Sequence, residues 1–354
     1  DDTMSAEHTI FITSPLEPEY VERLRAVDPE RVEVIYEPDL LPPTRYFADH
    51  NGVEDFTRNA EQQARWEAAL KRADILFDFP GGSLQGQMVR EAAPNLKWVQ
   101  TTSAGVGQMI ARMGLQDSDL IITTASGVHA GPLAEYVFMV LLNQVKNLEL
   151  IQEGQAARTW ERYCTDELEG KTLAIVGAGK IGRRIARVAR AFGMRTLATA
   201  RTYSPERVAA LGVDELYAPG QLHEMLGQAD AVVLCVPHTP ETENLIDAAA
   251  IEAMRDGVIL INIARGQIVD EDALLAALQS GKIGFAALDV FRTEPLPPDS
   301  PFWDLPNVLI SPHSASTGYG ENSRITDIFC HNLRCYLDRR YDDMWNVLDK
   351  QRMY

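Results

Sequence analysis

The chain has 354 residues, 45% hydrophobic and 24% charged, a length that suggests two domains and a composition that excludes a disordered or low-complexity protein. With 33 basic against 51 acidic residues the formal charge is −18, a field that repels phosphate backbones and anionic lipid, so nucleic acid and membranes are poor partners and any anionic substrate needs local positive charge. The longest uncharged apolar runs, Tyr136 to Leu142 and Ala231 to Val236, are far short of the roughly 20 residues that cross a bilayer.

No basic leader precedes an apolar stretch, so no secretory signal is expected, and Asp1-Asp2-Thr3 ahead of Met4 is set aside from fold reasoning. The four cysteines (Cys164, Cys235, Cys330 and Cys335) show neither a CxxC pattern nor metal-ligand spacing. The expectation is a reducing cytoplasm and no metal.

In chain order, Thr9–Thr13, Val32–Tyr36, Asp74–Phe79, Trp98–Thr101 and Leu120–Thr123 read as strands, with helices at Pro18–Val27, Ala60–Arg72 and Leu84–Ala92. Strands separated by helices imply parallel βαβ units. Pro42 to Trp66 is longer than a connection needs and carries Tyr46, Phe47, Phe56 and Trp66, as a covering lobe or pocket wall would. One long helix is expected from Pro132 to Leu150. A second alternating series follows, with strands at Thr172–Val176, Arg195–Thr199, Ala231–Val236, Val258–Ile263, Gly284–Val290 and Val308–Ile310. Its helices are Lys180–Phe192, Ser204–Ala210, Gln221–Gly227 and Asp270–Leu278, and a last helix spans Glu321–Leu337. The fold class is α/β, two doubly wound parallel-sheet domains, the second built like a dinucleotide binder.

Leu173-Ala-Ile-Val-Gly177-Ala-Gly179-Lys180-Ile181-Gly182 runs from a strand into GxGxxG and then a helix. The first glycine allows a tight turn, the second lets backbone N–H groups reach a pyrophosphate, and the third lets helix and strand pack closely. Ala104-Gly105-Val106-Gly107 is a partial look-alike with no third glycine and no comparable helix, better read as an interdomain turn.

Ligands of open α/β sheets sit at the carboxyl ends of the strands. Past three consecutive strands of the second series stand Arg265, then Asp289 and Glu294, then His313. A guanidinium to hold a carboxylate, an imidazole to donate a proton and a carboxylate to orient it are what hydride transfer to a keto acid needs. His238 and His129 also follow strand ends, so position alone leaves the three histidines open. Cys235 reads as core, Cys330 and Cys335 are poorly spaced to share a helical face, and Asp338–Asp343 reads as a solvated helix end.

These motifs resemble the D-isomer-specific 2-hydroxyacid dehydrogenases. The likeness rests on Leu173–Gly182, on Asn262-Ile263-Ala-Arg265-Gly-Gln-Ile-Val-Asp270, on Ala287-Leu-Asp289-Val-Phe-Arg-Thr-Glu294-Pro-Leu-Pro297 and on Ser311-Pro-His313-Ser-Ala315. Pro94–Gln100, Ala134-Glu135 and Asn346–Asp349 extend it over nearly the whole chain. The resemblance implies that Arg265 binds the substrate carboxylate and keto oxygen, that His313 is the acid/base with Glu294 as its partner, and that the backbone at Ala104, Gly105 and Val106 touches the substrate carboxylate. It places Asp289 near the nicotinamide. It further implies a Rossmann cofactor domain over residues 127–316 and a discontinuous, flavodoxin-like substrate domain over 1–126 and 317–354, with the active site in the cleft between them. The helix from Pro132 would join a dimer interface. Lys180, Ile181, Val236, Pro237 and Ile263 complete the expected cofactor contacts.

One position departs from the family. NAD-dependent members carry an acid at the end of the second strand of the cofactor domain; this chain has Ala200 there, followed by Arg201, Thr202 and Ser204. The expected cofactor is therefore NADP(H) in preference to NAD(H). The reading is a cytoplasmic, homodimeric 2-keto acid reductase of the glyoxylate or hydroxypyruvate type with a D-configured product. A formate- or phosphite-type dehydrogenase and a non-catalytic, corepressor-like cofactor sensor are the alternatives.

Overall fold

The computed structural model describes residues 6–81 and 86–353, so Asp1 to Met4 and the expected helix start at Leu84 lie outside the described residues. The chain divides into two units, Asp1–Val128 with Thr317–Tyr354, and His129–Ser316.

The first unit holds a parallel sheet of β1 (His8–Ile12), β2 (Val32–Ile35), β3 (Ile75–Phe77), β4 (Trp98–Gln100) and β5 (Ile121–Thr123), in the order β2-β1-β3-β4-β5. This is the flavodoxin-like order, and the winding direction reverses between β1 and β3. Ile75, Leu76, Phe77, Trp98 and Val99 are fully buried, as strands covered on both faces must be. The helix Ala60–Arg72 starts where a capping box fixes it: Asn59 accepts from the Gln62 backbone N–H at 2.9 Å and Gln62 accepts from that of Asn59 at 3.0 Å. Helix Glu321–Leu337 belongs to this unit because Ile325, Phe329 and Leu333 are fully buried in its core, with Phe329 edge-on to Trp98 at 4.9 Å. Cys330 and Cys335, though five apart, are both buried, because this helix is enclosed on most sides.

One expectation in this unit needs correction, and another holds in part. A helix, Gly107–Arg112, does follow the look-alike glycines, and Gly107 is there for packing: a Cβ on it would stand 2.0 Å from the Met353 carbonyl oxygen. The start of the 42–66 stretch is the pocket wall expected as one of its two roles, since Pro42, Thr44, Arg45, Tyr46, Phe47 and Asp49 line a cavity of about 550 Å³. Trp66 is core, stacked edge-on against Phe11 with the Arg58 guanidinium 3.6 Å from its ring, while Tyr46 and Phe47 are exposed.

The second unit holds β6 (Thr172–Val176), β7 (Arg195–Thr199), β8 (Glu215–Tyr217), β9 (Ala231–Leu234), β10 (Val258–Asn262), β11 (Ile283–Leu288) and β12 (Val308–Ile310). All are parallel, in the order β12-β11-β10-β9-β6-β7-β8, with the reversal between β6 and β9. Helix Lys180–Ala191 buries Gly182, Ile185, Ala186 and Ala189 and turns Arg183, Arg184 and Arg187 outward, an apolar stripe at helical spacing. The single helix expected from Pro132 is two, Ala130–Lys146 and Leu148–Ala157. Asn147 breaks it with φ of 52° and caps the second by accepting from the Leu150 N–H; asparagine enters the left-handed region at low cost. Among the described residues no helix is long and apolar enough to cross a membrane.

Candidate active site

The three glycines after β6 serve three different steric ends. Gly177 has φ of +113°, and a Cβ on it would lie 2.9 Å from the Cys235 carbonyl at the end of β9. Gly182 brings the helix onto the turn, since its Cβ would meet the Gly177 carbonyl oxygen at 2.3 Å. A Cβ on Gly179 would meet nothing within 4 Å, so the space beside its backbone is open. Gly179 also stands at the start of helix Lys180–Ala191, whose first N–H groups and dipole favour an anion. The Thr199 side chain accepts from the Gly177 N–H at 3.1 Å and the Thr199 carbonyl from the Ala178 N–H at 3.0 Å, so β7 holds the loop in place. The cradle fits the pyrophosphate of a dinucleotide.

Val236 and Ile263 flank the same strand ends: Val236 follows β9 against Gly177, and Ile263 is buried past β10. Pro237 is exposed beside Val236, and Lys180 and Ile181 open the helix. Cys235 is inert here. Burial pushes its thiol up to about 12, and its Sγ donates to the Gly177 carbonyl. At the end of β7, Ala200 is buried while Arg201 and Thr202 are exposed. Ser204 caps helix Pro205–Leu211 by accepting from the Arg207 N–H at 3.1 Å, and the Arg207 guanidinium donates to the Thr202 hydroxyl at 2.9 Å. Arg207, not singled out from the sequence, thus adds a second guanidinium beside Arg201's segment. The field of Arg201 reaches Glu241.

The other cluster forms because β10, β11 and β12 are neighbours and end at one edge. Asn262, buried at the end of β10, shapes the Arg265 turn by accepting from the Ala264 N–H at 3.0 Å and donating to the Arg265 carbonyl at 3.1 Å. Gly266 then lets the next loop close over it, since a Cβ would lie 1.9 Å from the Phe291 carbonyl carbon. That approach sets Glu294 near Arg265. Burial pulls the half-buried guanidinium below its ordinary value and the Glu294 carboxylate pulls it back up.

Glu294 accepts from the Phe291 N–H through Oε1 at 3.0 Å and pairs with His313 Nδ1 through Oε2 at 2.8 Å. The His313 side chain is 44% exposed, so its other ring nitrogen is within reach of a ligand. Its backbone has φ of 51° and donates to the Asp289 carbonyl at 2.8 Å. The buried Asp289 carboxylate ties down the His313 loop: Oδ1 accepts from the Ser311 hydroxyl at 2.6 Å and the Ser314 and Ala315 N–H groups at 2.9 and 3.0 Å. Tyr136, whose phenol burial pushes up, is hydrogen-bonded to the Ser311 hydroxyl at 3.0 Å. This Tyr136–Ser311–Asp289 chain escaped the sequence reading because Tyr136 joins it only through the fold.

The other strand-end histidines are engaged differently. His238 pairs with Glu243, a carboxylate that also faces Arg292 at 3.7 Å. His129 is the residue preceding helix Ala130–Lys146. Ala104, Gly105 and Val106 lie in the first unit, in the loop from β4 to helix Gly107–Arg112, with Val106 buried and Gly105 exposed.

The profile of the D-isomer specific 2-hydroxyacid dehydrogenase NAD binding domain matches residues 138–315. A D-3-phosphoglycerate dehydrogenase of Mycobacterium bovis is 33% identical over 294 residues, 82% of this chain and 54% of that protein. A glyoxylate reductase of Korarchaeum cryptofilum is 34% identical over 251 residues, 69% of this chain and 74% of that one. The crystal structure of a D-isomer specific 2-hydroxyacid dehydrogenase family protein from Aeromonas salmonicida superimposes with a TM-score of 0.76 at 30% identity, covering 98% of this chain and 100% of that one. The chain belongs to the D-isomer specific 2-hydroxyacid dehydrogenase family. It spans about half the length of the phosphoglycerate dehydrogenase that it matches.

Proposed function

We propose that the protein is a 2-keto acid reductase that uses a nicotinamide dinucleotide to make a D-2-hydroxy acid, with glyoxylate, hydroxypyruvate or a similarly small keto acid as substrate. The observation that carries this reading is the His313–Glu294 pair at 2.8 Å beside Arg265. A bound nicotinamide supplies the hydride. Arg265 pairs with the substrate carboxylate and reaches the keto oxygen, a planar fork matched to two acceptor atoms. Glu294 fixes the His313 ring through Nδ1, which leaves Nε2 to hand its proton to the oxygen as the alkoxide forms. Asp289 keeps the loop of His313 in place from beneath, close to where the nicotinamide is expected, and the backbone at Ala104, Gly105 and Val106 offers N–H donors to an acid substrate. The test is reduction of a panel of 2-keto acids with NADPH and with NADH. Absence of turnover with every acid overturns the reading.

NADPH is the proposed cofactor. Ala200 offers no carboxylate to bind a ribose 2′-hydroxyl or repel a 2′-phosphate, and Arg201, Thr202, Ser204 and Arg207 gather donors where that phosphate would lie. A charge-assisted hydrogen bond contributes about 1.5–3 kcal/mol. Arg201→Ala is therefore expected to weaken NADPH binding by about tenfold to a hundredfold while NADH changes little. Fluorescence titration of both cofactors checks this, and equal affinity of the parent for the two contradicts it.

We also propose a homodimer. Helix Leu148–Ala157 buries none of its residues, and Leu148, Leu150, Ile151, Tyr163 and the 98%-exposed Trp160 are the apolar material of this segment. Apolar side chains gathered in this way mark an interaction surface. Sedimentation should give twice the chain mass, and Trp160→Glu should shift the protein toward monomer. A parent that sediments as a monomer overturns the proposal.

A further inference from the structure

His313 stands on a loop that is not in a relaxed conformation. Its backbone has φ of 51°, a left-handed geometry that a residue with a Cβ keeps only where its surroundings over-determine it. The constraint comes from Asp289 beneath the loop. The Asp289 carbonyl accepts from the His313 N–H at 2.8 Å. Its carboxylate takes three donors on one oxygen, Oδ1: the Ser311 hydroxyl and the N–H groups of Ser314 and Ala315. The loop thus wraps around a single buried carboxylate, from two residues before the imidazole to two residues after it.

Two of these donors are backbone groups with fixed directions. The third, the Ser311 hydroxyl, sits on a side chain that has three rotamers, and beside Asp289 it is also hydrogen-bonded to Tyr136 at 3.0 Å. Tyr136 lies on helix Ala130–Lys146, 175 residues earlier in the chain. Its ring packs against the apolar cluster that also takes in Ile263, Leu309 and Ala315, so the hydroxyl is carried on a rigid arm. Burial and the Asp289 charge raise the phenol against the pull of Ser311, so it stays protonated in the neutral range. A phenol at the edge of a core needs some partner, and a backbone carbonyl would serve. Here the partner is the hydroxyl that secures Asp289, two residues from the imidazole.

We infer that Tyr136 is a positioning residue for the proton donor: through Ser311 and Asp289, its hydroxyl holds the His313 loop where Glu294 can orient the imidazole. The inference rests on the 2-keto acid reductase reading and adds to it a residue that acts only through His313. All five residues belong to the unit His129–Ser316. Glu294 comes to the imidazole on a separate loop, itself tied at the Phe291 N–H at 3.0 Å. The two loops therefore meet in register only while the His313 backbone is held. A small displacement of a catalytic group lowers the rate steeply and leaves ground-state binding almost untouched.

The test is Tyr136→Phe, which removes one oxygen and keeps the ring. Its single-turnover rate of hydroxypyruvate reduction with NADPH is expected to be about fivefold to tenfold below the parent, the loss of one hydrogen bond. The KM for hydroxypyruvate and the affinity for NADPH should stay at parental values, and the latter also shows that the unit is folded. In a His313→Ala background the same substitution should lower the rate no further, because residues that act as a unit are not additive. A parental rate in Tyr136→Phe overturns the inference. So does a loss that multiplies onto that of His313→Ala, or one that falls on KM or on NADPH affinity. The His313 ring resonances in an NMR spectrum, identified by their absence from His313→Ala, report the coupling without turnover. They should shift or broaden in Tyr136→Phe, and unchanged resonances overturn the inference. A parent that reduces no keto acid overturns the reductase reading, and the ring resonances still decide the place of Tyr136.

Discussion

His313→Ala is expected to lower the rate of keto acid reduction by about 10²–10⁴-fold, the usual worth of a positioned general acid, and to leave NADPH binding intact. The loss falls on the chemical step because His313 lies past β12 and the glycine cradle past β6, at opposite ends of the run β12-β11-β10-β9-β6. Glu294, left without its imidazole, keeps its second anchor on the Phe291 N–H, so the loop should stay folded. Single-turnover measurement of NADPH oxidation, with binding followed by fluorescence, separates the two effects. A variant with near-parental turnover would transfer the role to His238 or His129.

Arg265→Lys is the second large effect. Lysine keeps the charge and loses the planar fork. It also sits in a half-buried turn where Arg265 Nη1 donates to the Ala264 carbonyl at 2.7 Å, a fixed geometry that a flexible ammonium does not reproduce. Loss of one charge-assisted bond, about 1.5–3 kcal/mol, predicts a KM for the keto acid raised by about tenfold to a hundredfold, with cofactor affinity nearly unchanged. Steady-state kinetics over keto acid and NADPH concentration checks this. Equal damage to both would make Arg265 a structural or nucleotide-contacting residue.

What the sequence made legible follows from how local each requirement is. The turn of Gly177, the bare backbone of Gly179 and the close contact of Gly182 are met within ten residues of one strand, and all three could be read. So could the strand ends that carry Arg265, Asp289, Glu294 and His313, because apolar runs mark strands and the next polar residues mark their carboxyl edge. The choice among histidines could not be made this way. His238 and His313 each follow a strand, and each pairs with a glutamate that an arginine from another strand also faces, Arg292 for Glu243 and Arg265 for Glu294, so only the family motif Ser311-Pro-His313-Ser-Ala315 separates the two. Gly266 was hidden for another reason: its Cβ is excluded by backbone 25 residues further on, at Phe291. Local signals also failed where an alternative conformation competes. Asn147 sits inside a helical pattern and breaks it, and the three-residue β8 is too short to show an alternation.

The most direct test of the central claim is the absorbance of NADPH after glyoxylate is added to the purified protein. The account predicts stoichiometric loss of NADPH with formation of glycolate, at a rate that disappears in His313→Ala. Tight NADPH binding with no oxidation, on glyoxylate, hydroxypyruvate or any other 2-keto acid, would contradict it and make the chain a cofactor-binding protein without this chemistry.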